Sequence, residues 1–399
     1  MDKTTRLIHH PYQPPEGYSA PQPGVFKAST IIFPSVAVLR ERYKDEVGHQ
    51  YTYGTKGTPT TFLLEERLCT LEGGNSCTLV PSGLAAIALV NLALLKSGDD
   101  ILIPDNVYGP SKTLANAELA NFGISHQVYD AMNPADLAAK ISQKTKLVWL
   151  EAPGSVTLEF PNLPELVRIC KAKNVLIAFD NTWGAGIAFN PFEQGVDISV
   201  HALTKYPSGG GDVLMGSVMT RDAALSSRIK HCHMRLGYSV GVNDIETVLR
   251  SLPSMAVRYA AHGAAAHELA RWCQQQSDIV QVLHPAIPGS PGHAHWQEVC
   301  TQGQSAGLFS IVLHGRLSSA QVDAFCDALN VFKLGFSWGG PMSLVVPYKV
   351  RQMRTLPLPE YLQHGHLVRF SIGLEAVEDL TADLAQAMQL AFKSFRISC

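Results

Sequence analysis

Lys205 stands between an apolar run, Ile198 to Leu203, and a glycine-rich bend, Pro207-Ser208-Gly209-Gly210-Gly211. An amine held at the end of a strand, desolvated and with backbone free to approach a ligand beyond it, can form a Schiff base with an aldehyde. A solvated lysine before a loop fits the same residues. The second chemical group is Asp180, 25 positions earlier, which ends the run Asn174 to Asp180 and precedes Asn181-Thr182-Trp183-Gly184-Ala185-Gly186. Its pattern predicts a fully buried strand, and ligands of parallel α/β sheets bind beyond the carboxyl ends of such strands. An acid there can keep a proton on the pyridine nitrogen of pyridoxal phosphate, so that the ring accepts the electrons of a carbanion. An aspartate that merely caps a turn explains Asp180 alone. Its occurrence together with Lys205 weakens that explanation.

Three further positions suit an aromatic, anionic ligand. Pro81-Ser82-Gly83-Leu84 falls where a strand gives way to a helix, and the free amides and positive end of a helix start can hold a phosphate. Many α/β proteins have such a turn without using it, and no G-x-G-x-x-G follows the first strand to indicate a dinucleotide. Tyr108 follows another strand end, placed to stack on a cofactor ring or to fill the core. Arg369 lies inside the apolar run Leu367 to Ile372, where a guanidinium needs either a bound carboxylate or an internal salt bridge.

The elements that must position these groups alternate along the chain. Residues 1–57 are rich in Pro, Gly and Tyr and predict an extended arm that lies on another surface. Thr58-Pro59 opens a helix that Gly73-Gly74 closes. Strands are expected at 77–80, 100–104, 124–129, 146–151, 174–180, 197–201 and 214–219, with helices that include 84–96 and 110–122. This is the pattern of a mostly parallel sheet covered on both faces. A helical region from 244 to 276, interrupted at Pro253, leads to a smaller α+β part. Its strands are expected at 307–313, 343–347 and 367–372, and its helices at 319–329 and 377–395. The expected domains are 58–250, large and α/β, and 251–399.

Composition narrows the function classes. A chain of 399 residues, 46% hydrophobic and 17% charged, suits two folded domains. A net charge of −2 provides no electrostatic footprint for nucleic acid or an anionic membrane. The run Gly83 to Leu95 is too short to span a bilayer, and a polar N-terminus leads us to expect the cytoplasm. Eight cysteines without C-x-x-C pairs read as reduced thiols. The pairs His231/His233, His293/His295 and His364/His366 lack partners at metal-ligand spacing, and we expect no metal.

Taken in order, several segments resemble the pyridoxal-phosphate enzymes of cysteine and methionine metabolism, and within them the β-lyase group. They are Tyr53-Gly54 with Gly57-Thr58, 71–74, 150–155, 180–183, 204–206, 284–290, 337–340, and Arg369 with 372–375. The resemblance implies an aspartate-aminotransferase-like fold (fold type I) with pyridoxal 5′-phosphate as cofactor. It implies Lys205 as the Schiff-base residue, Asp180 as the pyridine partner and Tyr108 as the stacking residue. Gly83, Leu84 and Thr204 would surround the phosphate, while Ser337, Trp338 and Arg369 would bind substrate. Tyr53 would reach the active site of a neighbouring subunit, in a homotetramer built from dimers that share their sites.

The implied reaction is α,β-elimination of L-cystathionine to homocysteine, pyruvate and ammonia, extending to cystine or S-alkyl cysteines. Cystathionine γ-lyase or γ-synthase chemistry is the alternative among enzymes, and a cofactor-binding regulator without useful catalysis is the alternative of another class. Two positions depart from the family pattern. Thr55 stands where relatives commonly place a phosphate-binding arginine, with Lys56 beside it, and Met342 replaces a common glutamate.

Overall fold

A computed structural model describes residues 2–42 and 51–393. Seven strands form the larger sheet: β1 (Ser76–Val80), β2 (Asp100–Pro104), β3 (Ser125–Tyr129), β4 (Thr145–Glu151), β5 (Leu176–Asp180), β6 (Ile198–Ala202) and β7 (Gly216–Thr220). Their order is β1-β7-β6-β5-β4-β2-β3. Only β7 runs against its two neighbours, so the carboxyl ends of the other six lie along one edge. This is the mostly parallel α/β sheet that the sequence predicts.

Period-two alternation within the apolar strands feeds two separate cores. Ile101, Ile103, Leu147, Trp149, Ala178, Ile198 and Val200 pack toward the helices Gly83–Leu94 and Ala223–Leu236. Leu102, Val148, Leu150, Ile177 and Phe179 pack toward the other face, with Leu64 and Leu68 of helix Pro59–Glu72 and Val248 of helix Val242–Ser251. Helix Pro59–Glu72 starts on a Thr58–Thr61 capping box with Pro59 in its first turn, and ends at Gly73 with φ 77°.

A second sheet contains β8 (Ile279–Leu283), β9 (Leu308–Leu313), β10 (Lys333–Leu334), β11 (Leu344–Tyr348) and β12 (His366–Ser371), ordered β10-β11-β12-β9-β8. β8 and β10 are not expected from the sequence, because β8 is half exposed and β10 has two residues. Helix Met255–Cys273 joins the cores: Tyr259 belongs to the first and Ala266 and Leu269 to the second. Pro253 sits in a short 3-10 turn, Leu252–Ser254, where the lost amide bond costs little. The final helix runs from Val377 to Lys393, and its expected end at Phe395 lies outside the described residues.

The N-terminal segment is less featureless than its composition implies. Helix Lys3–Ile8 buries Leu7, and the Lys3 ammonium donates to the Gly186 and Ile187 carbonyls. Helix Val36–Glu41 has no buried residue. Among the described residues, no helix is long and apolar enough to cross a membrane. Seven cysteines carry free thiols, and Cys399 lies outside the described residues.

Tyr206 ties the two cores together. Fully buried, it stacks edge-on against Tyr259 and accepts the Gly307 amide at 2.8 Å, just before β9. Tyr206→Phe strands that buried amide and should lower unfolding stability by about 1–3 kcal/mol. Urea titration checks this, and an unchanged midpoint would remove the bond from the fold's support.

Candidate active site

Loops leaving the carboxyl ends of β1, β2, β4, β5 and β6 converge on one cleft of about 960 Å³, counting the space at its open mouth. Those strand ends and the segments that follow them supply Gly83, Leu84, Tyr108, Glu151, Asp180 and Lys205, and the smaller domain closes the cleft with Trp338 and Arg369. Residues scattered over nearly 290 positions therefore share one wall because parallel strands end together.

At the start of helix Gly83–Leu94, the Ser82 hydroxyl accepts the Ala85 amide at 3.0 Å. The amides of Gly83 and Leu84 have no partner within the helix and lie at the cleft wall. Glycine is required at 83, since a Cβ there would stand 2.7 Å from the Ala202 Cβ of β6. This close approach brings the helix start beside the lysine-bearing turn. The Thr204 hydroxyl also lines the cleft, though Met215 engages it from both sides, through its amide at 3.1 Å and its carbonyl at 3.3 Å.

Asp180 is anchored from one side. Its Oδ1 accepts the Thr182 amide at 3.0 Å and the Thr182 hydroxyl at 2.5 Å, and that hydroxyl accepts the Ala202 amide at 3.0 Å. Burial raises the Asp180 pKa against the opposing pull of the Thr182 bonds. Lys205 donates to the Ser337 hydroxyl at 2.8 Å and lies 4.5 Å from the centre of the Trp338 ring. Burial, helped by the Arg369 charge and opposed by Asp180, pulls its ammonium down to about 8. About a tenth of the amine is then neutral at pH 7, far more than for a solvated lysine.

Arg369 is 6% exposed, and among the described residues no carboxylate or other acceptor pairs with its guanidinium; Nε is fully buried without a partner. Aromatic faces are its neighbours instead: Cζ lies 5.8 Å from the Trp338 ring and 5.3 Å from that of Tyr348. Such faces compensate a desolvated cation only in part, so the site is prepared for an anion.

Tyr108 is 38% exposed at the cleft, and its amide donates to Glu151 Oε2 at 2.8 Å. Tyr53 is placed elsewhere: it is 53% exposed, bridges to Thr30 and lines no part of the cleft. Sequence reasoning gave no role to Glu151, Thr182 or Tyr348. Glu151 had a signal, since it too is an acid ending a buried apolar run. Among the described residues, no three His, Cys, Asp or Glu side chains gather to hold a metal.

An amine, a buried acid, free helix-start amides and a tyrosine face around one cleft suit a flat aromatic aldehyde with an anionic tail. Residues 4–389 match the family of Cys/Met metabolism PLP-dependent enzymes. The chain belongs to this family. Its cofactor is pyridoxal phosphate. The cystathionine beta-lyase of Bordetella avium is 39% identical over 393 residues, covering 96% of this chain and 97% of that protein. A solved cystathionine gamma synthase from Xanthomonas oryzae pv. oryzae, in complex with cystathionine, superposes with a TM-score of 0.88 at 29% identity, covering 99% of this chain and 100% of that one. A structure from Campylobacter jejuni containing N′-pyridoxyl-lysine-5′-monophosphate has a TM-score of 0.88 at 25% identity, covering 98% and 100%. The family thus includes both β- and γ-carbon chemistry on one fold type I framework.

The depressed lysine is directly measurable. Competitive labelling of the apo-protein with an amine-reactive reagent, read by peptide mass spectrometry, should show Lys205 reactivity rising with a midpoint near 8. Arg369→Gln should move that midpoint up and Asp180→Asn should move it down. A wild-type midpoint at the ordinary lysine value of 10.5 would mean the amine is solvated.

Proposed function

We propose that this protein is a carbon–sulfur β-lyase that converts L-cystathionine and water to homocysteine, pyruvate and ammonia. The observation that carries the proposal is the buried, unpaired Arg369 guanidinium, 5.8 Å from the centre of the Trp338 ring that the Lys205 amine meets at 4.5 Å. A carboxylate paired with Arg369 would place the adjoining Cα near the lysine. Substrate binding would thereby provide the missing counter-ion and orient the bond to be broken.

Pyridoxal phosphate, when bound, supplies an aldehyde that holds the substrate amine and a ring that takes up electrons released at Cα. Around it we assign Lys205 as the base that takes the Cα proton and returns it to the departing homocysteine sulfur. Asp180, fixed by Thr182, would keep a proton on the ring nitrogen. Tyr108 would stack on the ring, and Gly83, Leu84 and Thr204 would hold the phosphate. Ser337 and Trp338 hold Lys205 and, with Arg369, receive the substrate.

Tyr53, exposed here, is assigned to a neighbouring subunit's site, which makes a dimer the minimal active unit and a tetramer of two such dimers the expected assembly. The B. avium relative and the Trp338 motif support the β-lyase assignment over γ-elimination or replacement. We place the protein in the cytoplasm, with cystine and S-alkyl cysteines as further substrates.

Cystathionine incubation followed by product identification tests the reaction: pyruvate with homocysteine supports it, and 2-oxobutyrate with cysteine replaces it by γ-elimination. Arg369→Leu should raise KM for cystathionine roughly thirtyfold or more, the size expected when one partner of a buried charge pair is removed. Lys205→Ala should release essentially no keto acid. An unchanged KM in the arginine variant would detach Arg369 from the substrate.

A further inference from the structure

Glu151 ends β4 as Asp180 ends β5, and the two are register partners on adjacent parallel strands. Both line the cleft. Glu151 Oε2 accepts the Tyr108 amide at 2.8 Å, and Oε1 lies 2.5 Å from the Ser155 hydroxyl oxygen, which can accept the acid's proton. Among the described residues, Asp180 from β5, Tyr108 beyond β2 and Tyr129 from β3 are titratable groups that act on it, and none of the three is a cation.

Two buried carboxyl groups side by side do not both ionise readily. Asp180 has an amide and a hydroxyl on one oxygen, with the His201 imidazole also favouring its anion. Burial and the neighbouring Asp180 push the Glu151 carboxyl up to about 8.

We propose that Glu151 is a positioning residue: it keeps the second carboxyl proton of the site, leaving Asp180 as the single anion opposite the ring nitrogen, while its Oε2 pins the Tyr108 amide. This assignment rests on the cofactor site described under the proposed function. Glu151 acts through Asp180 and Tyr108, not on the substrate. Its proton prevents a second negative charge from competing for the ring's positive end, and its bond to the amide sets where the tyrosine ring can lie.

Infrared spectra of holoenzyme carrying carbon-13-labelled glutamate, followed between about pH 6 and pH 10, read the proton directly. Wild-type protein should show a protonated-glutamate band that fades near pH 8 and that is missing from Glu151→Gln. Glu65, whose carboxyl burial pushes up to about 7, contributes a band that the variant retains. Cofactor affinity of the apo-protein provides the second measurement. Glu151→Ala leaves the Tyr108 amide unpaired and should weaken pyridoxal phosphate binding about tenfold. Glu151→Gln, which keeps an acceptor oxygen, should lose less than about threefold.

Identical bands in wild type and the glutamine variant, or equal affinity losses in both variants, would overturn the proposal. Should the alanine variant fail to fold, the infrared comparison decides alone. Wild-type apo-protein that takes up no pyridoxal phosphate would overturn the function itself, a different outcome from a cofactor-bound enzyme without the band.

Discussion

Charge held out of water without its natural counter-ion governs this molecule. Lys205 and Arg369 lie at one cleft, repel each other, and both neighbour the Trp338 ring in place of a carboxylate. Opposite them, Asp180 and Glu151 crowd two carboxyl groups onto neighbouring strand ends. Either pair would be unstable on a mobile loop, because a buried ion costs several kcal/mol unless it is held against its partners.

Hydrogen bonds between loops make the site rigid. Thr182 joins Asp180 to the β6 amide at Ala202, and Gly83 lets the helix start close directly on that same residue. The turn carrying Lys205 is held in turn by Tyr206, whose hydroxyl meets the backbone entering β9. β12 brings Arg369 from the second sheet, so the cleft is lined from two hydrophobic cores. Its geometry depends on how those cores dock as much as on the strands of either.

The place of Asp180 and Lys205 at the cleft was legible because buried parallel strands appear as nearly continuous apolar runs, and a charge at or just beyond the end of such a run stands out. Arg369 stood out as a charge inside such a run, between Val368 and Phe370. Glu151 ends a run of the same kind, yet its place beside Asp180 depends on strand order, with β4 next to β5, which no local pattern encodes. Tyr348 was unreadable because its contact with Arg369 is made through space, from one strand of the second sheet to the next. β8 and β10 escaped notice since exposed or two-residue strands carry too little alternation to register.

Local sequence alone determined which segments are buried strands, where helices begin on hydroxyl caps, and which charged residues stand at or near strand ends. Those properties follow from side-chain period and backbone preference within a few residues. Only the tertiary structure decided that Arg369 lacks an anion, that Lys205 meets Ser337 and Trp338, and that two carboxyl groups adjoin. Pairing and desolvation are properties of atoms brought together from distant positions, and a linear pattern does not contain them.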